Sequence, residues 1–302
     1  MTQRFPGLTA AAYTPLHADG SIAPERATAV VDHLVADGCT GVLIHGSTGE
    51  GPSLTTAERE EMAAAFVEAA RGRLRTMVHV GHLSGVEARR LAAHAVDIGA
   101  DAVLAQPPMY FRPKDVPALA DWLAHVAEAA GELPFYYYHI PVITGVTLAM
   151  HELLATAEDH GLRLAGMKFT YEDLADLRLC VQRGDCEMLF GRDEILLAAL
   201  ALGVGGAIGS TYNYAAPLYR RMWEAFDAGD LPTARACQSR SIAMIQALRR
   251  AGGGVAPGRA VMKLIGLDLG PCRPPLALPS DQIVTQLERD LRDIGFFDWG
   301  RA

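Results

Sequence analysis

The sequence predicts an α/β protein, a (β/α)8 TIM barrel followed by a C-terminal helical extension. Short apolar segments alternate with amphipathic segments of helical length, which is typical of successive βα units around a parallel sheet. Eight such apolar segments occur between residues 8 and 210. Eight units favour a closed barrel over an open, doubly wound sheet. After Tyr214 the pattern is helical throughout.

The predicted strands are, in chain order, LTAAAY, GVLIH, TMVHV, AVLAQP, PFYYYHI, LAGMKFT, EMLFG and GAIGS. We expect residues 1–228 to form the barrel and residues 229–302 to form a helical region packed as part of the same unit. The glycine-rich AGGGVAPG from Ala251 predicts a turn between two of the late helices. In such a barrel, chemistry belongs at the carboxyl ends of the strands and in the loops that follow them.

Composition limits the partners that this chain can have. Its 302 residues carry a formal net charge of −8, which argues against nucleic acid and anionic membrane surfaces. Five cysteines, an odd number without a C-x-x-C motif, are typical of reduced thiols. The start, MTQRFPGLTA, lacks the features of a signal peptide, so we expect a cytoplasmic protein. The uncharged residues 195–219 are better explained by a buried helix and a buried strand than by a membrane span.

The sequence carries no established cofactor motif. GVGGAIGS fails the G-x-G-x-x-G spacing because Ile208 occupies the third glycine position, and the loop after strand two lacks the G-K-[ST] ending of a phosphate-binding loop. The ten histidines contain no H-E-x-x-H, and His79 with His82 is only a weak candidate for a metal pair. We therefore expect neither a nucleotide cofactor nor a metal.

Lysine is rare in this chain, and one lysine stands where a barrel places its chemistry. Only Lys114, Lys168 and Lys263 occur, against twenty-four arginines. Lys168 closes the apolar run LRLAGMK at the end of strand six. Shielding from water there favours the neutral, nucleophilic amine, a role that arginine cannot fill. The alternative is a buried lysine held in an ion pair, whereas Lys114 and Lys263 are predicted to lie at the surface.

Strand five contains a run of aromatic residues, FYYYHIP. Strand alternation directs Tyr136 and Tyr138 to one face and Tyr137 and His139 to the other. A tyrosine at the strand end, facing the top of the barrel, can exchange a proton with a substrate. The alternative is that these rings only fill the core.

Two loops offer polar groups. In HGSTGEGPSLTTAERE, after strand two, Ser47 and Thr48 can hold a carboxylate before a Thr55–Glu58 capping box starts the next helix, although an ordinary βα turn is equally possible. After strand seven, Asp193 and Glu194 would repel an anionic tail but can accept hydrogen bonds from several hydroxyls. Alternatively, Asp193 caps the following helix.

Together these motifs resemble the dihydrodipicolinate synthase and N-acetylneuraminate lyase superfamily of class I aldolases. The similarity covers nearly the whole chain and rests on GSTGE, Y-x-I-P-x-x-TG and the lysine that ends strand six. The resemblance implies that Lys168 forms a Schiff base and that Tyr138 shuttles the proton. It also implies that Ser47 and Thr48 hold the pyruvate carboxylate, and that Tyr110 in PPMYFRP reaches the site of a neighbouring subunit.

Within the superfamily the chain is more similar to the lyases than to the synthases. FYYYHIPVITGV, the pair Lys168 and Thr170, GRDE and GSTYNY support this, and Ile143 stands where synthases usually carry an arginine. The resemblance assigns the sugar tail to a set of residues at the ends of strands six, seven and eight, namely Thr170, Gly191, Asp193, Glu194 and Ser210.

The implied activity is reversible cleavage of N-acetylneuraminate to N-acetylmannosamine and pyruvate, by a homotetramer without a metal or nucleotide. A sister aldolase or dehydratase would keep the lysine and tyrosine but act on another 2-keto sugar acid. A barrel that only binds a sugar acid would have no reason to retain Lys168, Tyr138 and Tyr110 together.

Overall fold

The computed structural model describes residues 4–299, and in them eight parallel strands close into a barrel in chain order. Pairing of β1 with β8, with Gly7 opposite Gly206, closes the sheet. Each strand coincides with one of the predicted apolar segments, with β1 and β3 beginning one residue earlier, so the fold prediction is confirmed. The strands are β1 Gly7–Ala11, β2 Gly41–Ile44, β3 Arg75–His79, β4 Ala102–Ala105, β5 Phe135–His139, β6 Gly166–Phe169, β7 Glu187–Phe190 and β8 Gly206–Gly209.

Helices surround the barrel and continue past it. The barrel helices are α1 Ala27–Ala36, α2 Thr56–Ala70, α3 Gly85–Asp97, α4 Val116–Ala127, α5 Pro141–Thr144, α6 Met150–Thr156, α7 Leu174–Arg183, α8 Leu196–Ala201 and α9 Tyr212–Asp227. The C-terminal helices are α10 Leu231–Arg250, α11 Val255–Leu264 and α12 Asp281–Asp293. α10 packs along α9, and the predicted glycine-rich turn separates α10 from α11.

The predicted start of α2 is correct in detail. Thr55 accepts a hydrogen bond from the backbone N–H of Glu58, and Glu58 accepts one from the backbone N–H of Thr55. These reciprocal bonds satisfy two backbone donors that a helix start would otherwise leave free. The loop after β2 therefore ends at a fixed point.

Strand alternation sorts the aromatic residues of β5 between two layers. Tyr136 and Tyr138 pack in the apolar cluster inside the barrel, whereas Tyr137 packs in the layer between the strands and the helices. His139 is buried and lies beside the ring of Tyr137. The prediction for this strand is confirmed, and Tyr138 is the inward tyrosine nearest the carboxyl end.

Within residues 4–299, no helix combines the length and apolar character needed to cross a bilayer. The uncharged residues 195–219 supply α8, β8 and the first half of α9, as the helix-and-strand interpretation predicted.

Candidate active site

A cavity of about 330 Å³ lies at the carboxyl ends of the barrel strands. The loops that follow β2, β5, β6, β7 and β8 form its walls, and the turn between α10 and α11 covers one side. Nine of the ten predicted site residues line it: Ser47, Thr48, Tyr138, Lys168, Thr170, Gly191, Asp193, Glu194 and Ser210. Ile143 also lines it and offers no charge to a ligand.

Lys168 and Tyr138 meet at the base of this cavity because the barrel register pairs them. Tyr138 on β5 lies directly opposite Lys168 on β6, so both side chains point into the barrel from neighbouring strands. Lys168 is only 4% exposed, and its Nζ donates a hydrogen bond of 3.2 Å to the phenolic oxygen. The same nitrogen lies 4.2 Å from the centre of the tyrosine ring.

The alternative to a reactive Lys168 is a buried lysine held in an ion pair. In the part of the chain that the structure describes, Lys168 has no carboxylate at salt-bridge distance, so the buried ion pair is absent. The other two lysines form their contacts at the surface, Lys114 with Asp115 at 4.0 Å and Lys263 with Asp268 at 3.0 Å. The prediction that both lie at the surface is confirmed.

The cavity wall carries buried polar atoms without a hydrogen-bond partner among the described residues. Thr170 Oγ1 and Asp193 Oδ1 are buried and have no hydrogen-bond partner among residues 4–299. Buried polar atoms are costly unless they are hydrogen-bonded, so such atoms at a cavity wall suit a ligand that brings hydroxyl groups. Gly191 contributes by its small size, because a Cβ there would collide with the hydroxyl of Thr170.

The interpretation of Asp193 as a helix cap is wrong. A short 3-10 helix, Asp193–Ile195, follows β7, and its N-cap position is occupied by Arg192. No described side chain forms a capping hydrogen bond at the start of this 3-10 helix. The Asp193 carboxylate instead reaches the residues between β8 and α9, where its Oδ2 accepts hydrogen bonds from the backbone N–H (3.1 Å) and hydroxyl (2.6 Å) of Thr211. Burial raises the pKa of Asp193, and Gly209 leaves room for its carboxylate.

Glu194 lies between two arginines that are not among the predicted site residues. Its Oε1 is 3.2 Å from Arg192 and 2.8 Å from Arg249, and Arg192 also pairs with Glu172. Arg192 is visible in the GRDE motif, but Arg249 comes from α10, and only the folded chain brings it to the cavity. The two guanidinium groups offset the repulsion of an anionic ligand that two carboxylates alone would produce.

Tyr110 is the one predicted residue that does not line the cavity of its own chain. It is 78% exposed in the loop after β4 and packs edge-on against Phe111, with ring centres 4.9 Å apart. Leu83 in the loop after β3, Val86 at the start of α3 and Val142 in α5 are also exposed. All of them follow the carboxyl ends of strands, and therefore belong to the same end of the barrel as the cavity.

His79, one of the two residues of the weak metal candidate, belongs to the wall around Tyr138. Its ring meets that of Tyr138 edge-on with centres 6.0 Å apart, and burial holds the pKa of His79 well below its usual value. In residues 4–299, no three histidine, cysteine or acidic side chains come together as a metal site would require.

Comparison with known proteins agrees with this geometry. The family model described as "Dihydrodipicolinate synthetase family" matches residues 4–294. The chain belongs to this family. Its relatives include the N-acetylneuraminate lyase of Mus musculus, 38% identical over 300 residues that cover 97% of this chain and 94% of the mouse protein. The Danio rerio N-acetylneuraminate lyase is 40% identical over 280 residues, 91% of each chain.

Solved structures of the family share the fold closely. The Proteus mirabilis N-acetylneuraminate lyase superposes with a TM-score of 0.93 at 35% sequence identity, covering 97% of this chain and all of that one. The family match extends through the C-terminal helices that supply part of the cavity.

Proposed function

We propose that this chain is a Schiff-base aldolase that reversibly cleaves N-acetylneuraminate to N-acetylmannosamine and pyruvate. The observation that carries the proposal is the contact of Lys168 with Tyr138 at the base of a cavity lined by hydroxyl and carboxylate side chains. Full-length similarity to proteins named N-acetylneuraminate lyase supports the choice of substrate.

The amine of Lys168 attacks the keto carbon of the open-chain sugar acid, and water leaves to give an iminium. The iminium withdraws electrons from the neighbouring carbon–carbon bond, the task for which a covalent lysine is suited. Tyr138, directly or through the substrate carboxylate, takes the proton from the hydroxyl on carbon 4. The bond between carbons 3 and 4 breaks, N-acetylmannosamine departs as the aldehyde, and an enamine of pyruvate remains on the lysine.

Protonation of the enamine at carbon 3 and addition of water release pyruvate and restore the free amine. The covalent lysine itself supplies the electron sink, so this sequence of steps requires no added cofactor. Ser47 and Thr48 bind the carboxylate of the pyruvate part, within reach of Lys168 across the cavity.

The polyhydroxyl tail binds on the opposite wall. Thr170 and Asp193 contribute polar atoms that have no partner within the described part of the chain. Glu194 accepts hydrogen bonds from hydroxyls while Arg192 and Arg249 balance its charge. Ser210 adds a further hydroxyl. Gly191 lies on the same wall, where its lack of a side chain leaves room for Thr170. This wall suits a chain of hydroxyl groups.

The active assembly is a homotetramer in the cytoplasm, in which Tyr110 contributes to the site of a neighbouring subunit. Exposed Tyr110 and Phe111 and the apolar residues of the adjoining loops support this, because large exposed apolar patches commonly mark interfaces between proteins. The acidic composition argues against nucleic acid and anionic membrane surfaces as its partners.

The test is turnover. The purified chain should release pyruvate and N-acetylmannosamine in equal amounts from N-acetylneuraminate, and Lys168→Met should abolish release while leaving the thermal melt intact. Release of pyruvate only from a different sugar acid would favour the sister aldolase. Tight binding of sugar acids without any product would contradict an enzymatic role.

A further inference from the structure

The loop that presents Ser47 and Thr48 has an unfavourable backbone conformation. Glu50, two residues after Thr48, has a φ of +53°, a backbone conformation that residues other than glycine rarely adopt. Its N–H bonds back to the carbonyl of Ser47 at 3.1 Å, so the turn at Glu50 sets the path of the loop. A conformation of this kind persists where surrounding contacts hold it.

Those contacts come from α11 and from the segment that follows it. Arg259 on α11 donates to Glu50 Oε1 at 2.7 Å, and both side chains are only 1% exposed. The second oxygen of Glu50 accepts from the backbone N–H of Arg273 at 2.8 Å. The carboxylate is thus held on both oxygens by residues more than 200 positions away in the chain.

Arg259 also binds the backbone around the loop. It donates to the carbonyl of Leu269 at 2.6 Å and to that of Thr14 at 3.0 Å. The hydroxyl of Thr14 in turn donates to the carbonyl of Gly49 at 2.6 Å. Arg259 therefore controls the loop by two routes, through Glu50 and through Thr14.

We propose that Arg259 is a positioning residue for the carboxylate-binding hydroxyls of Ser47 and Thr48. Neither Arg259 nor Glu50 lines the cavity, so the effect is exerted through the loop backbone. The guanidinium reaches these three acceptors from two nitrogens in one rigid plane, one on Leu269 and the other on Thr14 and Glu50, a spacing that the single nitrogen of lysine does not reproduce. The inference rests on the proposed function, because it concerns how the site binds the carboxylate of pyruvate.

If Arg259 only stabilised the fold, its substitution would lower stability without changing how tightly the folded protein binds pyruvate. Removing one partner of a buried charge pair destabilises the fold whatever the pair's purpose. If the pair also positions the loop, the pyruvate concentration required for half-maximal imine formation must rise in the molecules that remain folded.

The experiment measures borohydride trapping of pyruvate on Lys168 over a range of pyruvate concentrations, at a temperature where circular dichroism shows each variant folded. The variants are Arg259→Lys and, as a matched control, Glu187→Gln. Glu187 is also a buried carboxylate, held by the N–H of Phe5 and the hydroxyl of Tyr136, but it lies on β7 away from the cavity. Thr14→Val removes only the hydrogen bond from the Thr14 hydroxyl to the carbonyl of Gly49. It replaces Arg259→Lys as the test variant if Arg259→Lys does not fold.

We expect Arg259→Lys to raise the half-saturating pyruvate concentration by about 10- to 100-fold with the same maximal labelling, as a small displacement of binding groups would cause. Thr14→Val should raise the half-saturating pyruvate concentration by a smaller factor. Glu187→Gln should lower the melting temperature and leave the half-saturating concentration unchanged. An unchanged half-saturating concentration in folded Arg259→Lys overturns the inference. If Arg259→Lys does not fold, an unchanged value in Thr14→Val overturns it. Failure of the unsubstituted chain to trap pyruvate at any concentration overturns the proposed function and this inference with it.

Discussion

Tyr138 and Lys168 are direct partners in the register of β5 and β6, and their polar ends are 3.2 Å apart. Neighbouring strands hold the two backbones at a fixed spacing, so the contact does not depend on a flexible loop. A proton-transfer group and a nucleophile fixed on rigid strands are well placed to act on adjacent atoms of one substrate.

Tyr138→Phe should separate imine formation from cleavage. The ring and its packing against His79 remain, but the phenolic oxygen is lost. We expect kcat for N-acetylneuraminate to fall by about 10²–10⁴, the usual effect of a positioned acid–base group. Pyruvate should still be trapped on Lys168. Unchanged turnover would reduce Tyr138 to a core residue, and lost trapping in a folded variant would place its action before bond cleavage.

Asp193→Asn should impair the sugar and spare pyruvate. The amide oxygen of asparagine can still accept the hydrogen bonds from Thr211, so the contact between the loops after β7 and β8 is retained. The transition state for N-acetylneuraminate should lose about 1–3 kcal/mol, as expected for a hydrogen bond to a charged group. Both kcat/KM and pyruvate trapping should be measured, since pyruvate has no tail. Equal losses in the two measurements would assign Asp193 to the fold rather than to specificity.

Gly191→Ala should reduce imine formation itself. The added Cβ would collide with Thr170 Oγ1 and come to 3.3 Å from Lys168 Cε, which displaces the nucleophile. Pyruvate trapping measured at saturation should fall. Gly85→Ala is the control, because its Cβ would meet only the ring of His125 at an ordinary 3.4 Å. Equal trapping by the two variants would show that the cavity wall can adjust.

The contact of Glu58 with Arg273 should make stability depend on acid pH. The hydrogen bond from Arg273 lowers the pKa of Glu58 from 4.5 to about 2. The carboxylate therefore stabilises the folded chain fully above the unfolded-state value of 4.5, and this contribution disappears as the pH falls towards 2. Melting temperatures of the unsubstituted chain and Glu58→Gln should differ most at pH 6–7, differ less at pH 3, and converge only as the pH approaches 2. A constant difference across that range would exclude this linkage.

Light scattering should give a mass of four chains for the active protein. Tyr110→Phe should keep that mass, since the ring and its packing against Phe111 are preserved, while turnover falls if the hydroxyl serves a neighbouring site. A fully active sample with the mass of one chain would rule out both the tetramer and the shared site.

The sequence was sufficient to predict the barrel because periodicity is local. Each apolar strand segment is followed by a helical segment, and alternation within FYYYHIP already directs Tyr138 inwards. Lys168 was identifiable for a related reason, as a rare residue at the end of a strand. Motif resemblance supplied the roles of the polar residues in the loops.

Contacts between distant parts of the chain could not be predicted in this way. The pairing of Asp193 with Thr211 replaced the local interpretation of a helix cap, because tertiary packing provided better donors than the adjacent turn. Arg249 and Arg259 reach the site and its loop from helices that follow the barrel. Nothing in the local pattern around either arginine indicates its partner.

The central claim is that Lys168 carries the covalent intermediate, and borohydride reduction in the presence of pyruvate tests it most directly. The account predicts an irreversible adduct, mapped by peptide mass spectrometry to Lys168, with loss of turnover in proportion to labelling. An adduct on exposed Lys114 or Lys263, or full activity after Lys168 is labelled, would contradict it.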